Sequence, residues 1–172
     1  NIFNYRSMYK PKVPVAKSYH YSEAEYNRIL DAALAPDCEI GAFIHLIAQT
    51  GQRTEEIRAL TWGDIDLESG IIRTNKAVVY VNGKGWVLGD TKTDSSNRET
   101  PLADVENNEA IQLLKKMYAT RSSELLFNGT TIDANPSAFN VFSYLDNRYW
   151  GIKWLDTRFK KLLKQAKVTR YT

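Results

Sequence analysis

Apolar positions along the chain change their spacing three times, and each change marks a new kind of element. Residues 1–20 show no periodic apolar spacing and contain Pro11 and Pro14, which reads as an extended arm or linker. Helical spacing begins after Ser22-Glu23-Ala24-Glu25, a capping box in which Ser22 and Glu25 can satisfy each other's free amides. Tyr26, Ile29, Leu30 and Ala33 then recur on one face, and Pro36 ends the helix. A second helix is predicted from about residue 37 to 49, with Ile40, Phe43, Ile44 and Ile47 on one face and Gly51 as its stop. A short third helix follows, with Thr54 as its cap and Ile57 and Leu60 facing inward.

The period then drops to that of strands. Ile71-Ile72-Arg73-Thr74 and residues 77–81 are β-rich, Asn82-Gly83 signals a hairpin turn, and Trp86-Val87-Leu88 suits the returning strand. A polar loop over residues 89–97 leads to another short strand ending at Pro101-Leu102. Helical spacing resumes over about 106–120, with Ala110, Leu113, Leu114 and Met117 apolar. Residues 128–150 are polar and aromatic without a period, and predict a loop with one short helix. The last helix, about 151–167, turns Trp154, Leu155, Phe159, Leu162 and Leu163 inward and its lysines outward. The expected fold class is mainly α with one small antiparallel sheet inserted between helices (α+β). The expected organisation is an arm over 1–20 and one domain over 21–172.

Length and composition fit that picture. The 172 residues, 43% hydrophobic and 25% charged, suffice for one domain with its own core. A single cysteine, Cys38, excludes an internal disulfide, and a reducing cytoplasm is the expected compartment. No apolar run reaches membrane-spanning length, and no secretory leader is recognisable. The chain starts at Asn1 and is expected to be part of a longer protein. The net charge of +3 is unevenly distributed: residues 1–20 hold +4, residues 151–172 hold +6, and the middle holds −7. Basic ends around an acidic body suit an anionic partner gripped from two sides, DNA above all.

Two segments carry candidate chemistry. The first is Thr50-Gly51-Gln52-Arg53-Thr54-Glu55-Glu56-Ile57-Arg58-Ala59-Leu60-Thr61-Trp62-Gly63-Asp64-Ile65-Asp66. Gly51 ends one helix and Arg53 opens the next, so its guanidinium is held by scaffold on both sides. Glu56, one helical turn on, can orient it. The second is Thr91-Lys92-Thr93-Asp94-Ser95-Ser96-Asn97-Arg98-Glu99-Thr100-Pro101-Leu102.

The first segment, Thr-Gly-x-Arg-x-x-Glu-x-x-x-Leu-x-Trp-x-Asp-Ile-Asp, is similar position by position to the first catalytic box of tyrosine recombinases, the phage-integrase family. Gln52 is a mild departure from the apolar residue usual there. The second segment resembles the family's Thr-Lys-Thr-x-x-Ser-x-Arg-x-x-Pro-Leu hairpin. The resemblance implies that Arg53 contacts the scissile phosphate and that Lys92 protonates the departing 5′ oxygen. It implies a tyrosine nucleophile, a 3′-phosphotyrosyl intermediate, and no metal or nucleotide cofactor. These residue types suit the chemistry. Arginine is always charged and its planar fork can contact two phosphate oxygens, while an ammonium beside a phosphate can act as a general acid. Double-stranded DNA is the implied partner, with Lys10, Lys12, Arg98, Lys160 and Lys164 expected to grip it.

The family's second box, His-x-Leu-Arg-His-Thr, is expected after a basic helix and a connector, beyond Thr172. His20 lies in the arm, His45 is expected to be a satisfied core or surface histidine, and none of the ten tyrosines matches the nucleophile's place. The expectation is therefore a piece of a recombinase that cannot cleave DNA by itself and is monomeric, from a parent tetrameric on paired sites. The sequence leaves room for two other readings. One is a metal-dependent nuclease using Asp64, Asp66 and Glu68. The other is a non-catalytic DNA-binding module or degenerate integrase remnant.

Overall fold

Ser22 starts the first helix as its sequence dictates. Its hydroxyl accepts from the Glu25 amide, and the Glu25 carboxylate accepts from the Ser22 amide at 2.9 Å. The protein is described here from a computed structural model that covers residues 20–90, 97–127 and 129–169. Helix α1 (Glu23–Ala33) buries Ile29 and Ala33, and α2 (Gly41–Thr50) buries Ala42, Phe43 and Leu46. Tyr26, at helical spacing with Ile29 and Ala33, is 40% exposed and lines an apolar groove between α1, α2 and the last helix. The two helices approach closely at Gly41, where a Cβ would run into the carbonyl of Ala33. His45 is buried and donates its Nε2–H to the Leu30 carbonyl at 3.1 Å, the satisfied core histidine expected of it. Gly51 ends α2 in the left-handed conformation (φ 61°), which a residue with a Cβ adopts only at a cost.

The short helix α3 (Thr54–Arg58) follows at once, with Arg53 rather than Thr54 at its N-cap position. Ile57 and Leu60 are almost wholly buried, each contributing about 1.5–3 kcal/mol of apolar stabilisation. The strands come next: β1 (Ile65–Asp66), β2 (Ile71–Thr74), β3 (Lys76–Val81), β4 (Gly85–Asp90) and β5 (Arg98–Pro101). They form two sheets rather than the single one expected. One is antiparallel in the order β1-β2-β5; the other is the separate β3–β4 ribbon. The split falls at Asn75, between Thr74, buried and held by Gln52, and Lys76, ion-paired with Asp64. From there β3 packs on α3 instead of continuing the first sheet. The ribbon's turn spans Asn82 to Lys84, since Val81 stands opposite Gly85.

Helix α4 (Glu109–Phe127) runs longer than its apolar spacing suggested. Asn108 caps its start, its side-chain oxygen accepting from the Ile111 amide at 3.2 Å. The aperiodic stretch that follows holds a 3₁₀ turn (Pro136–Ala138) and buries Ile132, Val141, Phe142 and Trp150. It is bonded to the first motif, Val141 N–H to the Leu60 carbonyl and Trp62 N–H to that of Phe139. Phe43 and Phe142 meet edge to face at 5.1 Å in the core between them. Helix α5 (Ile152–Gln165) buries Leu155, Leu162 and Leu163, half-buries Trp154 and Phe159, and turns its lysines outward. Among the described residues, no helix is long and apolar enough to cross a membrane.

Candidate functional site

Two arginines, one from each motif, meet around one carboxylate. Glu56 is buried, yet its side chain accepts three hydrogen bonds. The Arg53 backbone amide donates to Oε2 at 3.0 Å, Arg53 Nη1 donates to Oε1 at 3.3 Å, and Arg98 Nη2 donates to Oε2 at 2.8 Å. The first of these is half of a capping box; a guanidinium has no acceptor, so Arg53 cannot return the other half. Burial by itself would push the Glu56 pKa up. The Arg98 hydrogen bond and charge, with the bonds from Arg53, outweigh it and hold the group below the usual carboxylate value. It is therefore ionised at neutral pH, and its charge is matched from two sides.

The geometry leaves Arg53 pointing outward. Its side chain is 76% exposed, against 3% for Glu56 and 33% for Arg98. Only one guanidinium nitrogen leans on Glu56 in the bonds above, so most of the fork faces solvent on a rigid base. Rigid behind and open in front is what recognition of an anion by a charged fork requires. The base is further stiffened by Gln52, which the sequence marked only as a departure from pattern. Gln52 is buried and donates to Thr74 Oγ1 at 2.6 Å, and Thr74 stands opposite Arg98 across β2 and β5. One bond thus ties the turn before Arg53 to the strand pair that delivers Arg98. Its signal in the sequence was a polar residue where an apolar one is usual.

The remaining candidates fall elsewhere. Lys92, Lys10 and Lys12 lie outside the described residues. Lys160 is on the outer face of α5, paired with Asp156 at 2.7 Å, and Lys164 is exposed one turn further on. Asp156 lines the same apolar groove as Thr54, so the first half of α5 borders the helix that carries Arg53's neighbour. Two of the three carboxylates that a metal site would use are engaged in turns. Asp64 accepts from the Thr61 amide and hydroxyl and pairs with Lys76 at 2.5 Å, and Asp66 accepts from the amides of Glu68 and Ser69. Cavities of about 500 and 380 Å³ lie among the described residues, and neither is lined by Arg53, Glu56 or Arg98. The site is an open surface, suited to a polymer backbone more than to a small molecule.

The sequence profile of the phage integrase family matches residues 21–171. The chain belongs to the phage integrase family. No curated protein matches it. Among solved structures, this integrase-family chain is similar in fold to the Tn1549 transposon integrase in complex with a circular intermediate DNA. The TM-score is 0.68 at 17% identity, over 92% of this chain and 48% of that one. The same integrase with transposon right end DNA gives 0.62 at 21%, over 92% and 46%. XerA recombinase gives 0.61 at 21%, over 92% and 47%. The chain thus spans about half the length of the structures it matches. The expected fold class, mainly α with a small antiparallel sheet, agrees with these structures, which are mainly helical with small antiparallel sheets.

Proposed function

We propose that this chain supplies the phosphate-gripping part of a DNA strand-exchange site in a tyrosine-type site-specific recombinase. The observation that carries the reading is Arg53: an exposed guanidinium on a buried carboxylate that is itself braced by Arg98. In the proposed reaction a tyrosine hydroxyl gives its proton to a base of the full-length protein and its oxygen attacks the scissile phosphorus. The bond to the 5′ oxygen breaks, and that oxygen takes a proton from the Lys92 ammonium. Arg53 neutralises charge on the non-bridging oxygens as the five-coordinate phosphorus forms. The energy of the broken bond is kept in the phosphotyrosyl link, and a second strand's 5′ hydroxyl reverses the step. These roles need no metal and no nucleotide.

Within the 172 residues there is no His-x-Leu-Arg-His-Thr sequence. In this reading the second arginine, the histidines and the nucleophile are contributed by other residues of the full-length protein, and the 172 residues alone bind duplex DNA without cutting it. Lys10, Lys12, Lys160 and Lys164 add non-specific grip through phosphates, and Arg98 both braces Glu56 and borders the DNA. The full-length protein acts as a tetramer on paired sites in the cytoplasm, while these residues alone are monomeric. The test is Arg53→Ala in the full-length protein, assayed on a nicked duplex that traps the covalent adduct. Loss of adduct with DNA affinity retained supports the reading. Undiminished adduct formation sinks it, and binding without adduct by the unsubstituted protein would make it a DNA-binding module.

A further inference from the structure

Arg58 is the one charged side chain buried completely among the described residues. Its Nε donates to the Trp150 carbonyl at 2.9 Å, but neither Nη1 nor Nη2 has a hydrogen-bond partner. Its guanidinium carbon lies 4.3 Å from the centroid of the Trp86 ring, and Trp86 in turn meets Tyr80 edge to face at 5.3 Å across the ribbon. Burial pushes the guanidinium pKa below the ordinary arginine value, and the Glu55 charge acts against that push. A buried cation with two unmet donors is costly, and a π face compensates only in part. Nothing in the phosphate-gripping cluster uses it. It touches three separate pieces: α3, which carries Arg53 at its N-cap; β4, through Trp86; and the segment leading into α5, through Trp150.

We infer that Arg58 and Trp86 form a positioning joint that fixes the β3–β4 ribbon on α3 and so sets the strand leading to Lys92 relative to Arg53. The inference rests on the proposed role of Lys92 as proton donor. Asp90 is the last residue of β4, two residues before Lys92 in the chain. Any change in how β4 sits on α3 is felt at the strand's end, Asp90, whereas Arg53 is anchored separately by Glu56. Loosening the joint should therefore weaken protonation of the leaving oxygen by Lys92 and leave charge neutralisation by Arg53 nearly intact.

A leaving-group substitution separates the two. A 5′-bridging phosphorothiolate departs as a thiolate and needs no proton donor, whereas the ordinary 5′ oxygen does. In the full-length protein, Trp86→Ala is expected to lower cleavage of the ordinary duplex about tenfold or more. Cleavage of the phosphorothiolate duplex should stay within about twofold of the unsubstituted protein, with Trp86→Phe, which keeps a π face, restoring most of the loss. Equal loss on both substrates, or no loss on either, overturns the joint. Lys92→Ala is run alongside and should lose about 100-fold or more on the oxygen substrate only. If Lys92→Ala is selective and Trp86→Ala is not, the joint alone fails. If Lys92→Ala is not selective, the proton-donor reading fails and the joint falls with it. Should Trp86→Ala not fold, Trp86→Leu covers the guanidinium with apolar surface but no ring, and the same comparison applies.

Discussion

Glu56 and Arg58 sit two residues apart on one short helix, both buried and both charged, and the protein treats them in opposite ways. Glu56 receives three donors, two of them guanidinium groups, and ends up with its charge matched. Arg58 receives one carbonyl and the face of a tryptophan, and two of its nitrogens have no partner. The difference follows from where each faces. Glu56 faces the edge where β5 brings Arg98, so its pairing can hold Arg53 outward for a substrate. Arg58 faces the seam between the ribbon and the segment before α5, where packing dominates. A matched buried charge builds a site on the surface; an unmatched one marks a junction between pieces.

The strongest way to break this comparison is at its exposed end. Arg53→Ala in the full-length protein should lower strand cleavage by about 10³-fold or more while DNA affinity changes only a few-fold, read from adduct yield and a binding titration. Next comes the buried carboxylate. Glu56→Leu removes the anion that two guanidinium groups lean on. Because Arg53 and part of Arg98 reach water, the loss should be moderate, about 2–3 kcal/mol by chemical denaturation of the 172-residue chain.

Acid sharpens the same point. Because the folded-state pKa of Glu56 lies below the ordinary glutamate value of 4.5, its contribution is complete above that value and is lost as pH falls through the lower, folded one. The stability gap between the unsubstituted chain and Glu56→Gln should therefore be constant near neutrality and close below about pH 4.5, measured as denaturation midpoints against pH. Arg58→Met should behave unlike Glu56→Leu. It leaves the Trp150 carbonyl unpaired but removes two unmet donors, so stability should change by no more than about 1 kcal/mol in either direction. The smallest effect expected is at α5. Lys164→Ala should reduce the slope of log affinity against log salt by about 1 if that lysine meets a phosphate.

Much of this was legible in the residues, and the exceptions have physical reasons. The Ser22–Glu25 cap, the Gly51 stop, the strand at Ile71–Thr74 and the Arg53–Glu56 pair all follow from local chemistry over three or four residues. The splitting of the strands into a sheet and a ribbon did not, because it depends on Thr74 meeting Gln52 and Lys76 meeting Asp64 across 22 and 12 positions of chain. The motif around Arg98 points to a DNA contact, while its bond to Glu56, 42 residues away, has no local signal. Arg58 was hidden among Ile57, Ala59 and Leu60, where a lone arginine on a short helix ordinarily reaches water. The aperiodic stretch before α5 was opaque for a related reason. Its buried aromatics Phe142 and Trp150 pack on each other and on Phe43 of α2, far away in the chain, rather than along one periodic face.

The central claim is that the Arg53 guanidinium neutralises a non-bridging oxygen of the phosphate being cut. It can be tested by removing that negative charge from the DNA instead of the positive charge from the protein. Cleavage by the full-length protein and by Arg53→Ala would be compared on a normal site and on one carrying a methylphosphonate at the scissile position. The prediction is that the deficit of Arg53→Ala, about 10³-fold or more on the normal site, shrinks to about tenfold or less on the neutral one. A deficit of the same size on both substrates would contradict the claim, because the arginine would then be acting on something other than that charge.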